Sequence, residues 1–184
     1  MTPAPATQRF DGKVAVVTGV GRAGQVGEVV AREFARRGAS VAIIDRDGAA
    51  AETLAAAMRS EGLTVSAYGC DLTDADATTA AFKVIAAHGG GAIHALANVA
   101  GGFAMSGPVG ESDPAVFNRQ LSINLGSAYG ATRACIPFMR AGGGAIVFVA
   151  SASALPGGKV AGMSGYGAAK AGVIALMRSV AQEE

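Results

Sequence analysis

Short apolar runs alternate along the chain with longer amphipathic stretches, which predicts strands and helices in turn. Lys13 to Thr18 is an apolar run ending at a glycine turn and predicts a buried first strand. Val26, Val30 and Phe34 recur at i, i+4 and i+8, and Gly38 stands where a helix-ending glycine belongs. A helix over about Val26 to Arg37 is predicted to lay that stripe on the sheet. Ser40 to Asp45 is the second strand. Asp47 then caps an alanine-rich helix ending at Gly62, Thr64 to Gly69 is a third strand, and Thr73 or Asp74 opens a helix toward His88. Ile93 to Ala97 gives strand four. At Asp113-Pro114 an aspartate able to cap free N–H groups precedes a proline suited to the first helical position, so a helix is predicted from there to about Pro137 or Met139. Ala145 to Ala150 is strand five, and a last helix, from about Gly165 into Arg178, carries Tyr166 and Lys170.

Strands that are apolar throughout, each followed by a helix, specify a parallel sheet covered on both faces: a doubly wound α/β domain of the Rossmann type. No linker divides the chain, so one domain is expected over residues 10–184 behind a frayed Pro/Ala-rich leader at 1–9. The 184 residues are 51% hydrophobic with 27 glycines, which fits a large core and many tight turns. A formal net charge of +1 without a basic run speaks against a nucleic-acid binder and leaves a phosphate-bearing small molecule open. The sequence contains neither an apolar stretch of transmembrane length nor the pattern of a secretion signal, so no membrane partner and a cytoplasmic location are expected. Cys70 and Cys135 lack metal-site spacing and read as reduced core residues. His88 and His94, the only histidines, read as core or surface residues, and no metal is expected.

Between the first strand and its helix lies Thr18-Gly19-Val20-Gly21-Arg22-Ala23-Gly24-Gln25-Val26-Gly27. Backbone N–H groups and the helix dipole there suit a pyrophosphate, and glycines let it approach. Gly19, Gly21 and Gly24 spell the dinucleotide fingerprint, with Gly19, Arg22, Gly24 and Val26 as the expected cofactor contacts. Asp45, twenty-one positions after Gly24 at the end of strand two, supplies the acidic group expected for ribose hydroxyls. Its charge repels a 2′-phosphate and favours NAD, while Arg46 and Arg22 could offset that repulsion and keep NADP possible.

Tyr166 and Lys170 stand at i and i+4, so the ammonium can lie beside the phenol on one helix face. A phenol ionises near pH ~10, far from the pH at which a general acid or base works best, and a neighbouring cation lowers that value. An isolated Tyr-x-x-x-Lys fits an ordinary helix surface equally well. Here it follows a serine-containing strand end in a chain that begins with a glycine-rich turn.

With these landmarks, Asp71-Leu72, Asn98-Val99-Ala100-Gly101, Asn124 and the serines after strand five, the chain resembles the short-chain dehydrogenase/reductase family from about Phe10 to its last residue. The resemblance implies an oxidoreductase moving hydride between a nicotinamide cofactor and a small alcohol or ketone, with Tyr166 as acid and base and Lys170 also holding the nicotinamide ribose. It implies that Asp71 touches the adenine, Leu72 lines that pocket, and Asn98 to Gly101, Ala100 included, passes along the cofactor. Asn124 would hold a water in a proton relay through Lys170. Ser151 matches the catalytic serine by strand alignment, with Ser153 the alternative by counting back from Tyr166. The glycine loop is two residues longer than the usual Thr-Gly-x-x-x-Gly-x-Gly, and Val99 replaces a customary asparagine. Family members usually continue past this last helix, so the likeness also implies a longer protein, homo-oligomeric when complete, and leaves open whether the stretch given is active by itself. A noncatalytic NAD(P)-binding regulatory domain and an NADP-linked reductase of 3-oxoacyl thioesters stand as alternatives.

Overall fold

Five parallel strands in the order β3-β2-β1-β4-β5 form the centre of the computed structural model, which describes residues 9–184. The leader expected at 1–9 falls almost wholly outside the described residues. The strands are β1 (Val14–Thr18), β2 (Ser40–Asp45), β3 (Val65–Gly69), β4 (Ala95–Asn98) and β5 (Ala145–Phe148). Around them pack α1 (Val26–Arg36), α2 (Gly48–Ser60), α3 (Ala75–His88), α4 (Pro114–Leu121), α5 (Ser127–Cys135) and α6 (Ser164–Glu183). From β1 the chain builds outward through β2 to β3, then returns to place β4 and β5 on the other side of β1. That reversal opens a crevice at the carboxyl ends of β1 and β4, where ligands bind in open α/β sheets.

Strand β1 shows why its sequence is apolar throughout. Val14 and Val16 enter one core with Ile44, Phe82, Ile85, Leu96 and Cys135, while Ala15 and Val17 enter the other with Ala31, Ile43, Leu54 and Met58. Full burial of a side chain such as Phe82 or Ile43 contributes about 1.5–3 kcal/mol. Strand β5 differs: Ala145 and Val147 are exposed, and concavities lie on both of its sides, one lined by Ile146, Phe148 and Met177, the other by Phe10, His94 and Val147. Both lie away from Tyr166, Lys170 and Asn124.

Two expectations need correction. The stripe Val26, Val30 and Phe34 is not the buried face of α1. That face is Gly27, Ala31 and Ala35 with Glu28; Val30 and Phe34 pack at its edge, and Val26 is exposed. The physical reason is close approach, since a Cβ on Gly27 would run into the Gly19 carbonyl, so small residues must face the sheet. Nor does one α-helix run from Pro114 to Pro137 or Met139. Residues Ser122–Gly126 form a π-helical turn, α5 ends at Cys135, and Ile136–Phe138 is a separate 3₁₀ turn. The widened turn coincides with side chains taking backbone carbonyls: Asn124 Nδ2 donates to Gln120 O (3.0 Å) and Ser127 Oγ to Ile123 O (2.6 Å). Smaller shifts occur at strand ends, where β4 is Ala95–Asn98 and β5 stops at Phe148. Asp47, Asp74 and Asp113 cap their helices as the sequence predicts.

Both cysteines are buried, and burial pushes the Cys135 thiol up to about 12. Among the described residues no helix is long and apolar enough to cross a membrane.

Candidate active site

Thr18, fully buried at the end of β1, ties the two sides of the crevice together. Its hydroxyl accepts from Val99 N (3.1 Å) and Ala100 N (3.0 Å) and donates to Ala97 O (3.3 Å). Gly19 follows with φ 75°, and a Cβ there would stand 2.7 Å from the Ala100 Cα. Conformation and space together therefore require glycine. Its amide donates to Ile44 O at 2.8 Å.

The Asp45 carboxylate, half-buried at the end of β2, lies over Gly21: a Cβ on Gly21 would meet its atoms at 2.6–2.7 Å. It also accepts from Asp47 N at 3.0 Å. The sequence spacing was counted from Gly24, whereas the structure brings Asp45 to Gly21. Arg22 and Gly24 are exposed on the loop, and Val26 is exposed at the start of α1. Asp71 accepts from Thr73 Oγ1 (2.7 Å) and N (2.9 Å), and these bonds, with Arg46 nearby, hold its carboxyl below the usual range. The Leu72 side chain is buried in the core beside Cys70 and Phe82. Asn98 is also buried; Nδ2 donates to Thr132 Oγ1 at 3.1 Å, and Oδ1 has no partner among the described residues.

Glu28 is a residue that sequence reasoning missed. Buried in the first turn of α1, its carboxylate accepts from Gly24 N (2.6 Å) and from Arg32 Nε (2.7 Å), while Arg32 also holds Glu61 (2.7 Å). Arg32 first, then the Gly24 amide, keeps the Glu28 carboxyl below the usual carboxylate range. The glycine loop is thus braced from beneath by an ion-pair chain. An acid four residues before an arginine was the available signal, but the contact to Gly24 depends on the loop's path.

Across the crevice, Asn124 is 1% exposed within the π-helical turn. Its amide makes two hydrogen bonds to one residue, Nδ2 donating to Gly102 O (2.9 Å) and Oδ1 accepting from Gly102 N (3.2 Å). Lys170, 6% exposed, donates from Nζ to Val149 O at 2.8 Å. Asn124 Oδ1 and Lys170 Nζ flank one point, 2.5 Å and 3.7 Å from where a Cβ on Gly101 would stand. The ammonium lies 5.8 Å from the centre of the Tyr166 ring, and burial pushes its pKa down.

Ser151 and Ser153 are joined. The Ser151 oxygen accepts from Ser153 Oγ (2.9 Å) and Ser153 N (3.2 Å), which leaves its own proton available to donate. Tyr166 is partly exposed at the start of α6, its ring edge-on to Phe103 with centroids 5.1 Å apart. A glycine cradle closed by backbone, an acid beside it, and a tyrosine next to a buried cation are thus brought to one edge of the sheet. The arrangement suits binding a dinucleotide phosphate and passing a proton.

The family model for short chain dehydrogenases matches residues 13–184. Sex determination protein tasselseed-2 of Zea mays is 37% identical over 98% of this chain, which spans 53% of that protein's length. Among solved structures, an NAD+-bound xylitol dehydrogenase superposes with a TM-score of 0.88 at 31% identity, over 96% of this chain and 66% of that one. A metagenomic short-chain oxidoreductase in complex with NADP gives 0.86 at 31% identity, over 95% and 77%.

Proposed function

The chain belongs to the short-chain dehydrogenase family, and from that premise we propose that it moves hydride between a nicotinamide dinucleotide and a carbonyl or secondary alcohol, with Tyr166 as general acid and base. The observation that carries this assignment is Lys170: a lysine fixed in a buried position, 5.8 Å from the Tyr166 ring centre and beside Asn124. A buried ammonium is costly unless it has work to do, and here it bonds one carbonyl.

The residues present fit a dinucleotide. Gly19, Gly21 and Gly24 line a loop with no room for a side chain at Gly19, where the Ala100 backbone stands, or at Gly21, where the Asp45 carboxylate stands, and such a loop suits close approach of a pyrophosphate. Asp45 would take the adenosine ribose hydroxyls, and its charge supports NAD over NADP. Arg22, Val26, Asp71, Leu72, Asn98 and Ala100 complete the proposed contacts, Leu72 and Asn98 through their backbone, since their side chains are turned into the fold. When bound, the nicotinamide supplies or accepts the hydride.

The chain's own groups manage the proton and the charge. In the reducing direction Tyr166 Oη gives its proton to the substrate oxygen as negative charge develops there, and the Ser151 hydroxyl donates to the same oxygen. Ser153, by donating to Ser151, orients that hydroxyl. Lys170, 5.8 Å from the Tyr166 ring centre, would also hold the nicotinamide ribose, and Asn124 holds Gly102 and thereby the segment past Ala100, in a position to anchor a relay water. Oxidation reverses each step. The same proposal takes the protein to be cytoplasmic and to assemble with copies of itself.

Tyr166→Phe is the test. Turnover is expected to fall at least about a hundredfold while NADH affinity, read by calorimetry, stays near that of the parent. Retained turnover would remove Tyr166 from its role.

A further inference from the structure

Two loops meet at the mouth of the site, and they spend their polar groups on one another. Ser106 N (2.7 Å) and Gly107 N (3.1 Å) donate to Gly162 O, and Ser106 Oγ bonds the same carbonyl (3.3 Å) and lies 3.3 Å from Ser164 Oγ. What the joined loops present outward is apolar. Phe103 and Met105 are each 58% exposed and Val160 48%. Phe103 touches the reactive tyrosine, and the other two lie against glycines that flank it in the chain. Phe103 packs edge-on against its ring, and the Met105 methyl stands 3.0 Å from the position of a Cβ on Gly162. Val160 Cγ1 stands 3.6 Å from the corresponding point on Gly167, the residue after Tyr166.

The charge pattern points the same way. Residues 101–110 and 151–158 contain no Asp, Glu, Lys, Arg or His, and Lys159 is the single charge between Ser151 and Tyr166. Scattered exposed hydrophobics are ordinary, but a group gathered around a proton donor offers water-shy surface to whatever reacts there. A polyol on this wall would find partners at Ser151 and Tyr166 and lose hydration elsewhere without replacement.

Resting on the oxidoreductase assignment above, we infer that the substrate carries its carbonyl or secondary alcohol on an uncharged apolar body, a ring or branched hydrocarbon, that lies against Phe103, Met105 and Val160, and that Phe103 is the residue setting this preference. Specificity then follows buried carbon, at about fourfold in affinity per methylene.

Calorimetry on the whole chain separates this inference from the one beneath it. NADH is titrated first; if it does not bind, the oxidoreductase assignment fails and this inference with it. With NAD+ bound in its place, so that no hydride is available, dihydroxyacetone, cyclohexanone and 2-decalone are compared. Affinity is expected to rise in that order, with 2-decalone at least about tenfold tighter than cyclohexanone. Phe103→Ala is expected to weaken 2-decalone about tenfold more than dihydroxyacetone, and Phe103→Leu to restore most of the difference. Dihydroxyacetone binding as tightly as 2-decalone, or Phe103→Ala weakening both alike, overturns the inference while leaving hydride transfer standing.

Discussion

The two sides of the crevice are built differently. On the β4–β5 side, Asn124 and Lys170 are buried, and their polar atoms are committed to backbone groups of Gly102, Gln120 and Val149. On the β1–β2–β3 side, Asp45 is half-buried, Asp71 exposed, and Arg22 and Gly24 lie on an open loop held from below by Glu28. The proposed proton-handling side is therefore part of the fold, whereas the proposed nucleotide side is a surface that a ligand would complete. Substitutions on the first side should cost stability and activity together; on the second they should alter binding and little else.

Asn124→Ala tests the first half of that contrast and carries the largest expected effect on stability. Losing a buried amide leaves the Gly102 groups unpaired, a cost of about 1–3 kcal/mol, and should lower both the melting temperature and turnover, the latter about tenfold or more. A variant with parental Tm and lost activity would show that Asn124 serves chemistry alone. Asp45→Asn addresses the other half. Removing the charge beside Gly21 should shift the ratio of NADPH to NADH affinity by about tenfold toward NADPH, equal to about 1.4 kcal/mol, with Tm nearly unchanged. A fall in Tm as large as that of Asn124→Ala would erase the distinction between the sides.

Glu28→Ala falls between the two. It removes the acceptor of Gly24 N and one partner of Arg32, which keeps Glu61. A single hydrogen bond contributes about 0.5–1.5 kcal/mol, so NADH affinity should weaken about three- to tenfold, and Glu28→Gln should recover part of it. No change in affinity would mean that the loop keeps its shape without the brace.

The smallest effect lies at the opposite end of the sheet. His94 Nδ1 accepts from Val14 N at 3.1 Å, and burial first, then Lys13, pushes its pKa below the ordinary 6.5. A lowered value means that the unfolded chain binds the proton more readily than the folded one, so this residue makes stability rise with pH. The folded state should weaken as pH falls below about 6.5, until the depressed folded value is passed. Urea midpoints between pH 5 and 7 should show a shallower slope in His94→Gln, and turnover corrected for the folded fraction should not follow the histidine. A slope unchanged in the variant would assign the pH dependence elsewhere.

The sequence carried much of this picture because its signals are local. Five apolar runs followed by helical stretches state the strands, and aspartates at 47, 74 and 113 state helix starts, since a cap bonds amides two or three residues on. The i, i+4 spacing places Tyr166 and Lys170 on one helix face before any coordinates exist. Three features escaped it, each for the same reason. The buried face of α1 was misread because helix periodicity cannot say how near the sheet lies, and that distance excluded valine in favour of Gly27, Ala31 and Ala35. The widened turn at Ser122–Gly126 accompanies Asn124 reaching Gly102, twenty-two residues away in the chain. The Asp45–Gly21 and Glu28–Gly24 contacts depend on the path of the glycine loop.

What the sequence determined alone was the identity and order of the elements and the residue types at the strand ends, because hydrophobic period, caps and glycine turns act over a few residues. What only the tertiary structure decided was which of those residues meet across the crevice and which are buried. Hydrogen bonds and steric exclusion act over about 3–4 Å, and only the folded sheet brings residues distant in the chain that close together.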